Sequence, residues 1–285
     1  MRFTLLIQLF FVTLQSKTMK IGVFDSGYGG LTILNKISQR LPEYDYVYLG
    51  DNARTPYGTR SFEVIYAYTL QAVRYLEQQG CRLIIIACNT ASAKALRTIQ
   101  QHDIDPSRLR VLGVIRPTVE AVSKDARHVG ILATPGTVSS ESYVMELSKL
   151  NPDLAVTQQA CPMWVPLIEA GEHRSMGADY FVQEYIDAIL QKDNAIDTLI
   201  LGCTHYPLLF DKIRKVVRPD IRIVAQGDIV AEALSDYLKR HSEIERDLTK
   251  GGQRTFLTTE SVEKFQSSAS IFLDAPIIAQ HIELA

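Results

Sequence analysis

The chain has 285 residues, 22% of them charged, and a mean hydropathy of +0.01, the make-up of an ordinary globular protein of one large or two modest domains. A formal net charge of -2 and a pI near 6.3 exclude the broad basic surface that draws proteins to nucleic acid or to an anionic membrane. Four cysteines, with no CxxC pair and no cysteine-histidine spacing of a zinc site, argue against a disulfide scaffold or a structural metal and fit a reducing cytoplasm.

Residues 1–19 stand apart. An apolar run over 5–14 follows Arg2; it is too short to span a bilayer but long enough for a signal-peptide core. Leu14-Gln15-Ser16 is a poor cleavage site, and Met19-Lys20 directly precedes the first clear strand. Three readings stay open: an extension or early start outside the core, ordered surface structure, or a targeting segment.

A strand over 20–24 runs into Asp25-Ser26-Gly27-Tyr28-Gly29-Gly30 and a helix over 31–40. Glycines there let the backbone turn and approach a ligand, but the spacing is not GxGxxG. Asp25, just after the strand, is either a functional carboxylate or a helix-cap residue. A second strand over 46–49 leads to Asp51-Asn52-Ala53-Arg54-Thr55-Pro56-Tyr57-Gly58, whose end is turn chemistry. A long helix over 61–79 comes next, then Cys81, expected as a partly buried small hydrophobe between elements.

Leu83-Ile84-Ile85-Ile86-Ala87 then runs straight into Cys88-Asn89-Thr90-Ala91-Ser92. A strand apolar at every position belongs in the middle of a parallel sheet, and open α/β sheets bind ligands beyond its C-terminal end. One helix over 91–101, a strand over 111–114 and a break at Arg116-Pro117 follow.

The second series has a helix over 118–124, a strand over 129–133, a turn at Thr134-Pro135-Gly136-Thr137, a helix to about residue 150 and a strand over 154–157. Cys161 and Trp164 read as packing residues, and Glu169 as a loop or short-helix residue. A helix over 178–190 leads to a second apolar strand that ends in Gly202-Cys203-Thr204-His205-Tyr206-Pro207. A helix to about 217, a strand over 221–224, a helix from Gln226 to about 238, an exposed connection over 241–253, a strand over 255–257, a helix over 262–268 and a strand over 271–273 complete the pattern. Strands alternating with helices predict parallel sheets, with Cys88 and Cys203 on the ligand side.

The two cysteines admit four readings. Both pack; or one is an acyl-transfer nucleophile with His205 as base; or they form a reversible disulfide; or they are the two bases of a racemase. The last uses both. Racemisation takes a proton from one face of a carbon and delivers one to the other, which suits a thiolate and a thiol on facing walls. Helix-opening amides after each cysteine would lower the thiol pKa and hold a carboxylate. Asp25 could serve one thiol and His205 the other.

The motifs Asp25-Ser26-Gly27-x-Gly29-Gly30, Asp51-Asn52-x-x-x-Pro56-Tyr57-Gly58, Ala87-Cys88-Asn89-Thr90-Ala91 and Gly202-Cys203-Thr204-His205-Tyr206-Pro207 together resemble the glutamate racemases, from about residue 21 onward and in that family's order. The resemblance implies an α/β fold of two similar parallel-sheet domains facing each other across an active-site cleft. The first would comprise 20–115 plus 225–285 and the second 116–224. It implies a cofactor-independent, metal-free racemase interconverting L- and D-glutamate and supplying D-glutamate for peptidoglycan. Cys88 and Cys203 would be the bases, with Asp25 beside Cys88, His205 beside Cys203, and Glu169, in Cys-Pro-x-x-Val-Pro-x-x-Glu, assisting on the Cys203 side. Asp25, Ser26, Pro56, Tyr57, Gly58, Asn89, Thr90, Thr204 and His205 would line the glutamate site. A related aspartate or hydantoin racemase is the alternative; a non-catalytic amino-acid-binding protein is a further one. The resemblance is compatible with a homodimer, with no nucleic-acid or stable membrane partner. Some members are activated by a peptidoglycan precursor through an N-terminal segment, of which the apolar run here carries no chemical sign. One departure is Ala225-Gln226-Gly227, where members often carry Asp-Ser-Gly.

Overall fold

The computed structural model describes residues 19–273 and 275–284. The apolar run over 5–14 lies outside them. In chain order the elements are β1 (Lys20–Asp25), α1 (Gly30–Arg40), β2 (Tyr46–Gly50), α2 (Phe62–Gln78), β3 (Cys81–Ile86), α3 (Asn89–Lys94), α4 (Leu96–His102), β4 (Arg110–Gly113) and α5 (Ile115–Val122). They continue with β5 (His128–Ala133), α6 (Pro135–Ser139), α7 (Ser142–Leu150), β6 (Ala155–Ala160), α8 (Trp164–Glu169), α9 (Met176–Lys192), β7 (Thr198–Gly202), α10 (Phe210–Val216) and β8 (Arg222–Val224). The last are α11 (Gln226–Arg240), α12 (Ser242–Glu245), β9 (Arg254–Thr258), α13 (Val262–Ala269) and β10 (Ala279–His281).

The strands form two parallel sheets, ordered β10-β9-β2-β1-β3-β4 and β6-β5-β7-β8. β3 lies between β1 and β4, and β7 between β5 and β8, so each cysteine motif leaves the C-terminal end of an internal strand. The continuous apolar sequence of β3 follows from burial on both faces. Leu83 and Ile85 enter one core with Leu31 and Leu34 of α1, while Ile84 and Ile86 enter another with Val73 and Leu76 of α2. Burying each such side chain is worth about 1.5–3 kcal/mol relative to exposure. α1 shows the 3–4 spacing of a helix with one apolar face, burying Leu31, Leu34 and Ile37.

α11 packs on α1, flanked by the exposed ion pairs Lys36–Asp228 and Arg40–Glu232, at 3.0 and 2.7 Å. β9 then pairs with β2, so the C-terminal segment extends the first sheet.

Several local expectations change. Met19, grouped with the extension, is 5% exposed, joins the core and bridges Leu248. Cys81 is the first residue of β3 and fully buried. The single helix expected over 91–101 is interrupted at Ala95. Pro117 does not break the chain away; it sits in the first turn of α5, where a missing N–H costs no intrahelical bond. The turn at Thr134–Thr137 becomes the start of α6, with Thr134 as N-cap and Pro135 at the first position.

Residues 271–273 are not a strand. Leu273 N–H still donates to the Ala269 carbonyl, so this stretch prolongs the end of α13, and the final strand is β10 instead. The reason is packing: Phe272 stacks on Tyr28, with ring centroids 6.2 Å apart, and fills the core from a turn. Among the described residues no helix is long and apolar enough to cross a membrane.

Candidate active site

Cys88 and Cys203, brought from the two sheets, line one cavity of about 80 Å3. Eight more of the residues expected from sequence line it with them: Ser26, Pro56, Tyr57, Gly58, Asn89, Thr90, Thr204 and His205. Asp25 and Glu169 stand one layer behind, Asp25 under Thr204 and Glu169 behind His205. A larger cavity of about 630 Å3, lined by residues including Arg97, Met145 and Tyr237, contains neither thiol, so the paired cysteines belong to the smaller one.

Cys88 caps the N-terminus of α3, its sulfur accepting the Ala91 N–H at 3.4 Å. Its side-chain partner is Ser26 Oγ at 3.2 Å, rather than Asp25. The amide contact expected from the sequence is present, but it does not govern the thiol. Burial, followed by the nearby Asp25 charge, pushes Cys88 up to about 12, against the opposing hydrogen bonds from Ser26 and Ala91. Asp25 is itself wholly buried, accepting the Gly27 N–H at 3.0 Å and facing Thr204 Oγ1 at 3.5 Å. Burial raises its carboxyl above the usual carboxylate range, against the His205 charge and the Gly30 and Gly27 amides.

The Cys203 side has different neighbours. Its sulfur lies 3.7 Å from His205 Nδ1, and His205 Nε2 meets Glu169 Oε1 at 3.0 Å. Burial works against a charged imidazole, but the hydrogen bonds to Cys203 and Glu169 outweigh it and raise His205 from 6.5 to about 10. Both hydrogen bonds favour the protonated imidazole. Phe272 sits edge-on to this ring, with centroids 5.4 Å apart. Gly29 fits where no side chain could: a Cβ there would stand 2.4 Å from both His205 Nδ1 and Thr204 Oγ1.

Two groups of residues escaped the sequence reading. Thr134 lines the cavity, and its hydroxyl joins those of Thr90 at 2.9 Å and Thr137 at 3.0 Å, linking the loop after β5 to the start of α3. Its signal was positional: Ala133 pairs with Gly202, so Thr134 and Cys203 leave adjacent strand ends. Asp51 is fully buried and accepts hydrogen bonds from Tyr57 Oη, Arg54 Nε at 2.7 Å and Thr259 Oγ1 at 2.9 Å. This network holds the Pro56-Tyr57-Gly58 loop, whose residues the family resemblance had placed in the lining. Cys161 lines the cavity, whereas Trp164 packs in the core, edge-on to Tyr206 at 4.7 Å.

Residues 21–234 match the Asp/Glu/hydantoin racemase family, most of the chain and both cysteine motifs included. The chain belongs to that family. Within it, a glutamate racemase of Ruegeria sp. (strain TM1040) is 40% identical over 267 residues, covering 90% of this chain and 97% of the relative. Among solved structures, a glutamate racemase of Bacillus anthracis superposes with a TM-score of 0.86 at 34% identity, covering 94% of this chain and 98% of that one. The glutamate racemase of Francisella tularensis subsp. tularensis SCHU S4, solved in complex with D-glutamate, gives 0.84 at 33% identity, covering 94% and 98%. The arrangement of racemase-family motifs described above is thus carried on two parallel sheets in the fold of those enzymes.

Proposed function

We propose that the chain is a glutamate racemase that interconverts L- and D-glutamate by proton transfer between two cysteines. The observation that carries this reading is the convergence of Cys88 and Cys203, from separate sheets, on one small cavity. Near-full-length relatives with that activity support glutamate over the aspartate or hydantoin alternative.

In each direction one sulfur, as thiolate, removes the α-proton and the other, as thiol, gives its proton to the opposite face of the carbanion. The product leaves with the two protonation states exchanged, and a thiol-thiolate proton exchange with solvent resets the site. Burial and the nearby Asp25 charge push Cys88 up to about 12, which favours its thiol form, the form that donates. Cys203 Sγ lies within reach of His205 Nδ1, and Glu169 meets the far nitrogen of that imidazole and holds it in place. Asp25 opposes charge on Cys88 and so helps to keep it a thiol. Hydroxyls of Ser26, Thr90 and Thr204, with main-chain N–H groups, would bind the carboxylates and stabilise charge as the α-carbon becomes a carbanion. Asn89 and the Pro56-Tyr57-Gly58 loop complete the lining.

The domains assigned to this mechanism are 20–115 with 225–285, carrying Cys88, and 116–224, carrying Cys203. A cytoplasmic location, D-glutamate supply for peptidoglycan and a homodimer belong to the same proposal. A chiral assay with L- and D-glutamate, then with aspartate, tests it. Glutamate should be driven to an equal mixture from either side without added cofactor. No glutamate turnover in either direction would defeat it, and preferential turnover of aspartate would move the assignment to the alternative.

A further inference from the structure

Gln226 opens α11 and touches neither cavity, yet it is 2% exposed and fully engaged. Asn89 Nδ2 donates to Gln226 Oε1 at 2.6 Å, Gln226 Nε2 donates to Tyr143 Oη at 2.9 Å, and Tyr143 Oη donates to Asn89 Oδ1 at 2.7 Å. These three bonds close a ring in which every donor meets an acceptor, so each amide has one consistent orientation. The second Nε2 hydrogen reaches Thr118 Oγ1 at 2.9 Å, whose own hydroxyl donates to the Val114 carbonyl at 2.7 Å. Asn89, Tyr143, Gln226 and Thr118 are all buried, with little water to replace a lost partner.

The ring joins the walls of the cleft from behind. Asn89 immediately follows Cys88. Tyr143, on α7, packs beside Gly202, the residue before Cys203: a Cβ on that glycine would lie 3.4 Å from its Cε2. Gln226 is where the chain, having finished β8 of the second sheet, enters the helix that packs on α1 of the first half. Asn89 retains one N–H and one lone pair for a ligand, in a direction set by the other two members.

We propose that Gln226 is a positioning residue for racemisation: through the closed ring with Tyr143 it fixes the Asn89 amide and the start of the Cys88 helix against the Cys203 strand end. This rests on the racemase reading. Gln226→Met keeps the side chain's length and removes its polar ends; Tyr143→Phe opens the same ring from the other half. Each is expected to lower kcat/KM about 10–100-fold, as small displacements of reacting groups do, and the double variant should lose little more than the worse single.

With α-deuterated L- and D-glutamate, the primary isotope effect on kcat/KM should rise in the direction where Cys88 removes the proton and fall in the other. A mere loss of folded protein leaves both isotope effects unchanged. If Gln226→Met does not fold, Tyr143→Phe carries the kinetic test alone. Wild-type isotope effects and kcat/KM in the variants, or losses that multiply in the double, would overturn the proposal. The same variants as a double-mutant cycle on urea unfolding read the ring without turnover: non-additive midpoints are expected, and additive ones count against it. Absence of turnover in the wild-type chain would instead defeat the racemase reading.

Discussion

Cys88 and Cys203 are buried alike, at 5% and 7% exposure, but one faces a serine hydroxyl and a helix amide and the other an imidazole braced by a carboxylate. If each acts on one face of the α-carbon, neither can cover for the other. Cys88→Ser and Cys203→Ser should each cut kcat roughly 10²–10⁴-fold in both directions, the usual contribution of a general acid or base. Wild-type turnover in either variant, measured by circular dichroism of glutamate, would contradict this. His205 gives a prediction in pH. Its folded value, about 10, stands above the ordinary 6.5, so the folded chain keeps a proton that the unfolded chain releases. That stabilisation is complete below 6.5 and is lost as pH rises through about 10. The difference in urea midpoint between wild type and His205→Asn should therefore shrink from about pH 6 to about pH 10; a constant or widening gap would show that the proton is not held.

Apolar strands were the most legible elements. β3 and β7 declare themselves because burial on both faces leaves no room for polar alternation, and the residues that follow them line the shared cavity. Short elements were harder. Thr134-Pro135-Gly136-Thr137 has turn composition but caps α6 locally, Thr134 Oγ1 accepting the Thr137 N–H with Pro135 at the first position. Contact with Thr90 and Gly58 sets it as a wall of the cavity. Phe272 was legible as apolar but not as a core filler beside His205, because its partners lie far away in the chain. The α6 loop invites a direct test. Gly136 N–H donates to the Gly58 carbonyl at 2.7 Å, and a Cβ on Gly136 would come within 2.8 Å of that oxygen. Gly136→Ala should destabilise by about 1–3 kcal/mol, the usual cost of overpacking, and should weaken substrate binding by parting the two loops. An unchanged urea midpoint and KM would show that the loops do not depend on this contact.

Across the whole molecule, two parallel sheets each present an internal strand to one cleft, and the chain crosses between the halves at α5 and α11. Alternation of strands and helices predicted the parallel sheets, and the residue motifs marked the cleft lining. What the pattern could not supply was the connection between halves: the ring of Asn89, Tyr143 and Gln226 joins three distant segments, and no local spacing announces it. Likewise Ser26, not Asp25, proved to be the hydrogen-bond partner of Cys88, because the turn after β1 rotates the Asp25 carboxylate toward Gly27 and Thr204. The central claim is that two thiols act on opposite faces of one carbon. Racemisation in heavy water tests it most directly, with each enantiomer in turn as substrate and the α-position read by proton NMR or mass. The D-glutamate formed from L-glutamate, and the L-glutamate formed from D-glutamate, should carry solvent deuterium, while the remaining substrate gains it more slowly at early times. Product that keeps its original α-proton in both directions would contradict the two-base mechanism.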